Sequence, residues 1–563
     1  MAQFGDDLLP LGRAYHWEHV RAAEVYLVQP VNGGSIRTWT WQQTMDEARR
    51  IAAFLRAQDW EPGARVATLS RNSAWWIIAE LGIWMAGMVT VPLYPSLRAE
   101  SIRALLEHAD VRACFLGAVD DSEAMQQGVP AGVLRIAMPN AAPEVLRGSD
   151  RRWDEILTEY EPILDSPTRG ADDLATIIYA SSTNGDPRGV MHRFSLFPQM
   201  GSTIASLVNM DSNERFISYL PLAHIAERGV IEATSLHIGC TIYFTAGQKN
   251  LLADLKRARP TLFFSVPRLY LYLRQGVLER VPQLWLNLLL RIPIFNSYVK
   301  RQILRQLGLD HVRFAASGAA PLSSEVLAWF RSVGLALVEG YGLTETGITH
   351  APRPDNFRMG YVGPALPGIE VRIGPDEEIQ MRSAMNMIGY YRNEETTRES
   401  FTEDGFFRTG DKGEMAPDGQ LKIIGRIKDQ FKTSNGKYVS PAPIEKRFAI
   451  HPALEATCVM GNGRAHPFAL SVLSAEARRQ CEGGGLNGEL RQALEKLLAH
   501  INAELDPHER ISFIALVDGP WDIASGLITP TLKLKRNAIE KRYASHVDEW
   551  IAMQKPILWA RGL

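Results

Sequence analysis

Cysteine is scarce: Cys114, Cys240, Cys458 and Cys481 are the only four in 563 residues. They lie far apart with no C-x-x-C pair, which excludes a disulfide framework or a zinc site and leaves buried thiols as the expectation. Charge of one sign is missing too. Lys and Arg number 61 against 63 Asp and Glu, a formal net charge of −2, so no global basic field recruits nucleic acid and any phosphate site must be built locally. The first twenty residues lack the basic-then-apolar pattern of a secretory signal. The cytoplasm is therefore the expected compartment, with association at the inner face of a membrane as the other placement. The longest apolar run, Trp75 to Tyr94, is interrupted by Glu80, Gly82, Gly87 and Pro92 and reads as a buried helix running into a core strand rather than a membrane span. A Walker A sequence, G-x-x-x-x-G-K-[ST], does not occur.

What is present is material for a large core: 46% of residues are hydrophobic and 22% charged, in a chain too long for one compact unit. From about Thr38, helical stretches such as MDEARRIAAFLRAQ and AESIRALLEHA alternate with β-branched or apolar runs such as ARVATLS, VTVPLY and LATIIYA. This predicts α/β with parallel strands, continuing past residue 340. From about Asp355 to Gly425 the chain turns rich in Gly, Pro and short strands, which suits a smaller β-rich lobe, and from Arg426 onward a compact α+β lid is expected. The predicted domains are 1–425 and 426–563. Residues 281–309 are apolar with basic punctuation, a pattern that fits either a helix packed on the body or one that touches a membrane surface.

Six motifs carry chemistry. Residues 179–189, YASSTNGDPRG, form a Ser/Thr/Gly-rich loop after the strand LATIIY, and such a loop offers N–H groups and hydroxyls to phosphate oxygens. It includes Ser181, Ser182, Thr183, Asn184, Gly185 and Arg188. Next come YLPLAHIAER at 219–228, ASGAAPL at 316–322 and EGYGLTET at 339–346. In the last of these Gly340 and Gly342 let backbone lie flat against a ring, Tyr341 supplies a stacking face, and Thr344 and Glu345 bring a hydroxyl and a hard ligand for Mg²⁺. FRTGD at 407–411 places Asp411 where a carboxylate can accept from two vicinal hydroxyls, followed by GRIKD and FKTSNGKY. LITPTLKLKR at 527–536 carries Lys533 on a loop.

In this order, over roughly residues 35–545, the six motifs resemble the adenylate-forming (AMP-binding) superfamily, and their wording is most similar to bacterial long-chain fatty acyl-CoA synthetases. The resemblance implies a large body of parallel α/β subdomains with a β-rich lobe and a mobile α+β C-terminal domain. It implies that ATP, Mg²⁺, coenzyme A and a fatty acid meet here, and that a homodimer is one possible assembly. By the same resemblance Lys533 is the adenylation lysine, Glu345 ligates Mg²⁺, Thr344 holds the α-phosphate, Asp411 the ribose and Arg426 the ribose or phosphate. Gly318, Ala319, Gly340 and Tyr341 frame adenine. Lys428 is the hinge, the loop holding Gly436 and Lys437 lines the pantetheine channel, and His224 borders the acyl carboxylate.

The phosphate loop departs from the family's wording at Ala180, Ser182, Asn184 and Arg188, where a hydroxyl residue, a glycine, a threonine and a lysine are usual. A slowed or retuned enzyme is the expectation. Two other readings stay open at this stage: adenylation with a carrier protein or an internal ring closure as acceptor, and an inactive acyl- or nucleotide-binding homologue.

Overall fold

The computed structural model describes residues 5–31, 34–180, 187–481, 485–522, 525–529 and 533–560. Its largest sheet has eight strands. Six of them run parallel, in the spatial order 174–180, 89–93, 65–69, 111–116, 134–137 and 151–152. Strands 188–193 and 389–390 then extend the sheet antiparallel at one edge. The apolar run from Trp75 resolves as expected into the fully buried helix Ala74–Met85, capped by Ser73, followed by the buried strand Val89–Leu93. Helix Trp41–Arg56 packs on it. Thr40 and Gln43 close a capping box at its start, and Met45, Ala48, Ile51, Ala52 and Leu55 recur at helical spacing on its buried face. No helix among the described residues is long and apolar enough to cross a membrane.

The parallel alternation does not continue as a single sheet. Residues 215–218 and 241–244 join the N-terminal strands 25–30 and 36–40 in a separate four-stranded sheet, and 262–265, 314–317 and 337–339 form a parallel three-stranded one. Apolar runs alone do not reveal this division, because a strand's choice of sheet is fixed by long-range pairing. The lobe from Asp355 to Gly425 is β-rich, with strands 370–373, 378–382, 407–415 and 421–426 in antiparallel order.

After Arg426 the chain builds two further hydrophobic clusters, both drawn from residues between Phe431 and Ala560. They flank the sheet 454–460, 468–473, 514–517 and 557–560, whose last three strands are parallel. Helix Gly488–Ala503, with its N-cap at Asn487, covers one face through Leu490, Leu494, Leu498 and Ile501. All four cysteines are buried and free.

Candidate active site

The hairpin of strands Tyr341–Leu343 and Gly347–His350 carries Thr344 and Glu345 in its turn. Gly342 has to be glycine here, because a Cβ would lie 2.2 Å from the Gly347 carbonyl oxygen across the hairpin. Distant segments clamp the turn from both sides. His192 Nε2 lies 2.7 Å from the Thr344 carbonyl oxygen, and since a carbonyl only accepts, Nε2 carries the proton. Burial pushes the His192 pKa down to about 4, so the ring is neutral and this tautomer is fixed. Met387 N donates to the Glu345 carbonyl at 2.7 Å, and the Tyr390 hydroxyl donates to Glu345 Oε1 at 2.8 Å. Glu345 is thus oriented through one carboxylate oxygen, and its Oε2 is available to a hard cation. Among the described residues no three His, Cys, Asp or Glu side chains gather into a metal cage. The donor set fits Mg²⁺, which needs few protein carboxylates when substrate phosphates complete its shell.

Asp411, at the centre of the strand Phe407–Met415, is buried. Its Oδ2 accepts from the Tyr341 hydroxyl at 2.6 Å, and its Oδ1 pairs with Arg426 Nε at 2.9 Å. Strand register brings them together, since Asp411 and Arg426 face each other in the antiparallel ladder. Burial pushes Asp411 above the usual carboxylate range while Arg426 pulls it back. A carboxylate offers about four lone-pair sites, so two remain for hydroxyls of a ligand. Tyr341 therefore orients Asp411 through its hydroxyl, while its ring lies tilted 6.0 Å from that of His350.

Lys533 reaches this cluster from the C-terminal segment. Its amide donates to Thr529 Oγ1 at 3.0 Å and its carbonyl accepts from Thr529 N at 2.8 Å. The residue keeps solvent access, yet protein groups surround its ammonium. That enclosure and the Arg426 cation hold its pKa below the lysine norm, opposed by Asp411, Glu345 and Asp429.

His224 faces the same cation. It caps the short helix Ile225–Glu227, its Nδ1 accepting the Ala226 amide at 3.2 Å, so in the neutral ring the proton sits on Nε2. Burial first, and Lys533 second, push its pKa down to about 3, so it acts as a neutral Nε2–H donor. Beneath it, Glu227 Oε1 accepts from Ser218 Oγ at 2.8 Å, Tyr219 N at 3.0 Å and Asn72 Nδ2 at 3.3 Å, while Asn72 Oδ1 accepts from Leu222 N at 2.9 Å. This network holds residues 218–224 in place. Arg228 follows in a π-helical turn, Arg228–Ala233, paired with Glu80 and Glu232 in a fully buried cluster.

Gly318 and Ala319, expected to frame adenine, sit where strand 314–317 ends. The Gly318 amide donates to the Ser265 carbonyl at 3.1 Å, that of Gly340 to Ser317 at 2.8 Å, and a Cβ on Gly318 would touch Phe264 at 3.0 Å. Ala319 has φ 66°, a left-handed conformation costly for a side-chain-bearing residue. Arg188 begins the strand Arg188–Arg193 with its guanidinium 5.9 Å from the Tyr390 ring centroid, which links it to Glu345. Ser181, Ser182, Thr183, Asn184 and Gly185 lie outside the described residues. Lys428, Gly436 and Lys437 are exposed on the C-terminal part. Gly436 occupies a turn with φ +78°, so backbone conformation, and not crowding, requires glycine there. His192, Tyr390 and Asn72 lie outside every motif and reach their partners from remote positions, while Glu227 stands inside YLPLAHIAER with no role read for it from the sequence.

Comparison with known proteins gives the chain's family. Residues 16–391 match the AMP-binding enzyme family and 428–555 the AMP-binding enzyme C-terminal domain. The long-chain-fatty-acid–CoA ligase FadD15 of Mycobacterium bovis is 30% identical over 94% of this chain and 95% of its own length. Long chain acyl-CoA synthetase 4 of Arabidopsis thaliana is 29% identical over 91% and 86%. Among solved structures, the A domain of carboxylic acid reductase from Segniliparus rugosus, in complex with AMP and a co-purified carboxylic acid, superposes with a TM-score of 0.79 at 22% identity, covering 98% of this chain and 95% of that one. The anthranilate CoA ligase AuaEII in complex with anthranoyl-AMP gives 0.77 at 20%, covering 96% and 98%. The chain belongs to the AMP-binding enzyme family and is a ligase of the adenylate-forming superfamily.

Proposed function

We propose that this enzyme is an ATP-dependent fatty acyl-CoA synthetase, converting a fatty acid, ATP and CoA to acyl-CoA, AMP and pyrophosphate through an acyl-adenylate. The observation that carries the reading is the convergence of Lys533 with Glu345, Asp411, Arg426 and His224 in one cleft. The names and near-full-length coverage of the relatives support the fatty acid as substrate and CoA as acceptor.

In the first half-reaction a carboxylate oxygen of the acid bonds to the α-phosphorus and the bond to the pyrophosphate oxygen breaks. Two anions must approach, and Lys533 screens them while neutral His224 donates Nε2–H to the acyl carboxylate. Asp411 and Arg426 hold the ribose, and Thr344 the α-phosphate. Glu345 would hold Mg²⁺, which when bound would neutralise charge on the phosphates. In the second half-reaction the CoA sulfur bonds to the acyl carbon and AMP departs. On this reading 1–425 and 426–563 are working units, Lys428 is the hinge between them, and the Gly436 loop meets the pantetheine arm after Lys533 withdraws.

The test is a panel of acids with ATP, Mg²⁺ and CoA, following AMP and acyl-CoA by mass spectrometry, alongside Lys533→Ala. Acyl-CoA is expected, with adenylation falling about a hundredfold or more in the variant, as when one preorganised charge is removed from a developing anion. AMP or acyl-adenylate without acyl-CoA would transfer the reading to another acceptor. Nucleotide binding without turnover for every acid would make the protein a sensor and overturn the proposal.

A further inference from the structure

Seven of the seventeen exposed large apolar side chains among the described residues fall between residues 272 and 298. Six lie on three helices that follow one another, α1 (Pro267–Leu278), α2 (Gln283–Arg291) and α3 (Pro293–Leu307), and Ile292 joins the last two. α2 is apolar on both sides. Leu286 points inward and is fully buried, while Leu284 is 85% exposed, Trp285 64% and Leu288 51%. Ile292, Phe295 and Tyr298 continue this outward surface onto α3.

Reorientation of α2 cannot hide the surface. The Trp329 indole of a neighbouring helix donates to Gln283 Oε1 at 3.1 Å, and Ile303 and Leu307 bury the far end of α3. Turning Trp285 inward would expose Leu286. An ordinary water-facing helix carries polar residues at such positions, and a contiguous apolar face with aromatic members marks a surface that is covered in use.

Charge identifies the cover. Residues 267–307 contain seven basic side chains and one acidic, Glu279, in a chain whose formal net charge is −2. Arg268 and Arg274 are engaged by Glu455 and Glu325. Arg280, Arg291, Lys300, Arg301 and Arg305 enter no ion pair among the described residues, and all but the half-buried Lys300 are exposed. Cations without protein counter-ions around protruding Trp, Tyr, Phe and Leu match a bilayer whose headgroups are anionic and whose acyl boundary is a few ångströms deeper.

We propose that the outward face of α2 and the start of α3 docks on anionic lipid bilayers, with Leu284, Trp285 and Phe295 entering the headgroup–acyl boundary and Arg291, Lys300 and Arg301 meeting the headgroups. The docking does not depend on which acid or acceptor the active site uses, and its test reads lipid binding rather than product.

The full chain is sedimented with phosphatidylcholine vesicles, with and without phosphatidylglycerol, at rising salt. Binding is expected only to the mixed vesicles, weakening as salt rises, and Leu284→Ser with Trp285→Ser should weaken it by about tenfold or more. Arg291→Glu with Arg301→Glu should do the same and remove the salt dependence. These side chains are exposed, so the thermal midpoint of both variants should match the parent, which separates lost docking from lost folding. A parent that stays in the supernatant with both vesicle types overturns the proposal, as do variants that bind as well as the parent. A parent dimer, seen by sedimentation velocity, that Leu284→Ser with Trp285→Ser turns into monomer would assign the face to a second copy instead.

Discussion

Tyr390 shows how a single residue sets the quality of a site it does not name. Its hydroxyl donates to Glu345 Oε1 at 2.8 Å, and Arg188 lies over its ring. Burial, with the Glu345 charge, pushes the phenol above its ordinary pKa, so it remains a donor throughout the physiological range. Tyr390→Phe keeps the packing but lets the carboxylate swing. A hydrogen bond to a charged group contributes roughly 1.5–3 kcal/mol, so ATP–pyrophosphate exchange should fall by about tenfold or more with an increased Mg²⁺ requirement. An unchanged Mg²⁺ dependence would show that Glu345 needs no such guide. Lys533, Glu345 and Asp411 could be found from sequence because each sits in a worded motif. Tyr390 and His192 could not, because their importance comes from partners 45 and 152 residues away.

At the scale of the element, the loop between strand Arg215–Ser218 and helix Ile225–Glu227 owes its shape to a carboxyl group that burial pushes up to about 8. Below the ordinary glutamate value both folded and unfolded Glu227 hold the proton. As pH rises from there towards 8 the unfolded chain releases it and the folded chain keeps it, so the folded state loses stability across that window and no further above it. Glu227→Gln keeps an acceptor oxygen for Ser218, Tyr219 and Asn72 but does not titrate. The difference in thermal midpoint, variant minus parent, should therefore grow in the variant's favour between about pH 5 and pH 8 and then level off. A constant difference would mean that Glu227 is ionised in the fold. The sequence marked this loop by its YLPLAHIAER wording, and local apolar pattern marked helices 41–56, 74–85 and 99–108 and strands such as 65–69, 89–93 and 174–180. Neither revealed that strand 188–193 returns antiparallel, or that 215–218 leaves the main sheet for one begun at residue 25, because both are matters of pairing partner and not of local pattern.

For the whole molecule, the position of Lys533 depends on how the C-terminal part is seated, and besides Arg426–Asp411 at its start two ion pairs among the described residues tie that part to the body. Arg268 at the start of α1 meets Glu455 at 2.9 Å, and Lys446 approaches Glu339 at 3.8 Å. Glu339 belongs to the segment that leads into the Thr344–Glu345 hairpin and also accepts the Leu322 amide at 2.9 Å. The C-terminal part and the segment before the Thr344–Glu345 hairpin are thereby connected through one carboxylate. Arg268 is 54% exposed, so its pair is worth only about 0.2–1 kcal/mol, too little to lock the C-terminal part in place. If CoA transfer requires Lys533 to leave the cleft, Arg268→Ala should slow single-turnover adenylate formation by up to about fivefold and leave transfer from preformed acyl-adenylate unchanged or faster. Added salt should shrink the gap between variant and parent, since it screens the pair that remains. Equal slowing of both half-reactions would mean that the pair serves the whole fold. In that case the body and lid would work as one rigid unit, with the thiol reaching the acyl carbon past Lys533 without any rotation.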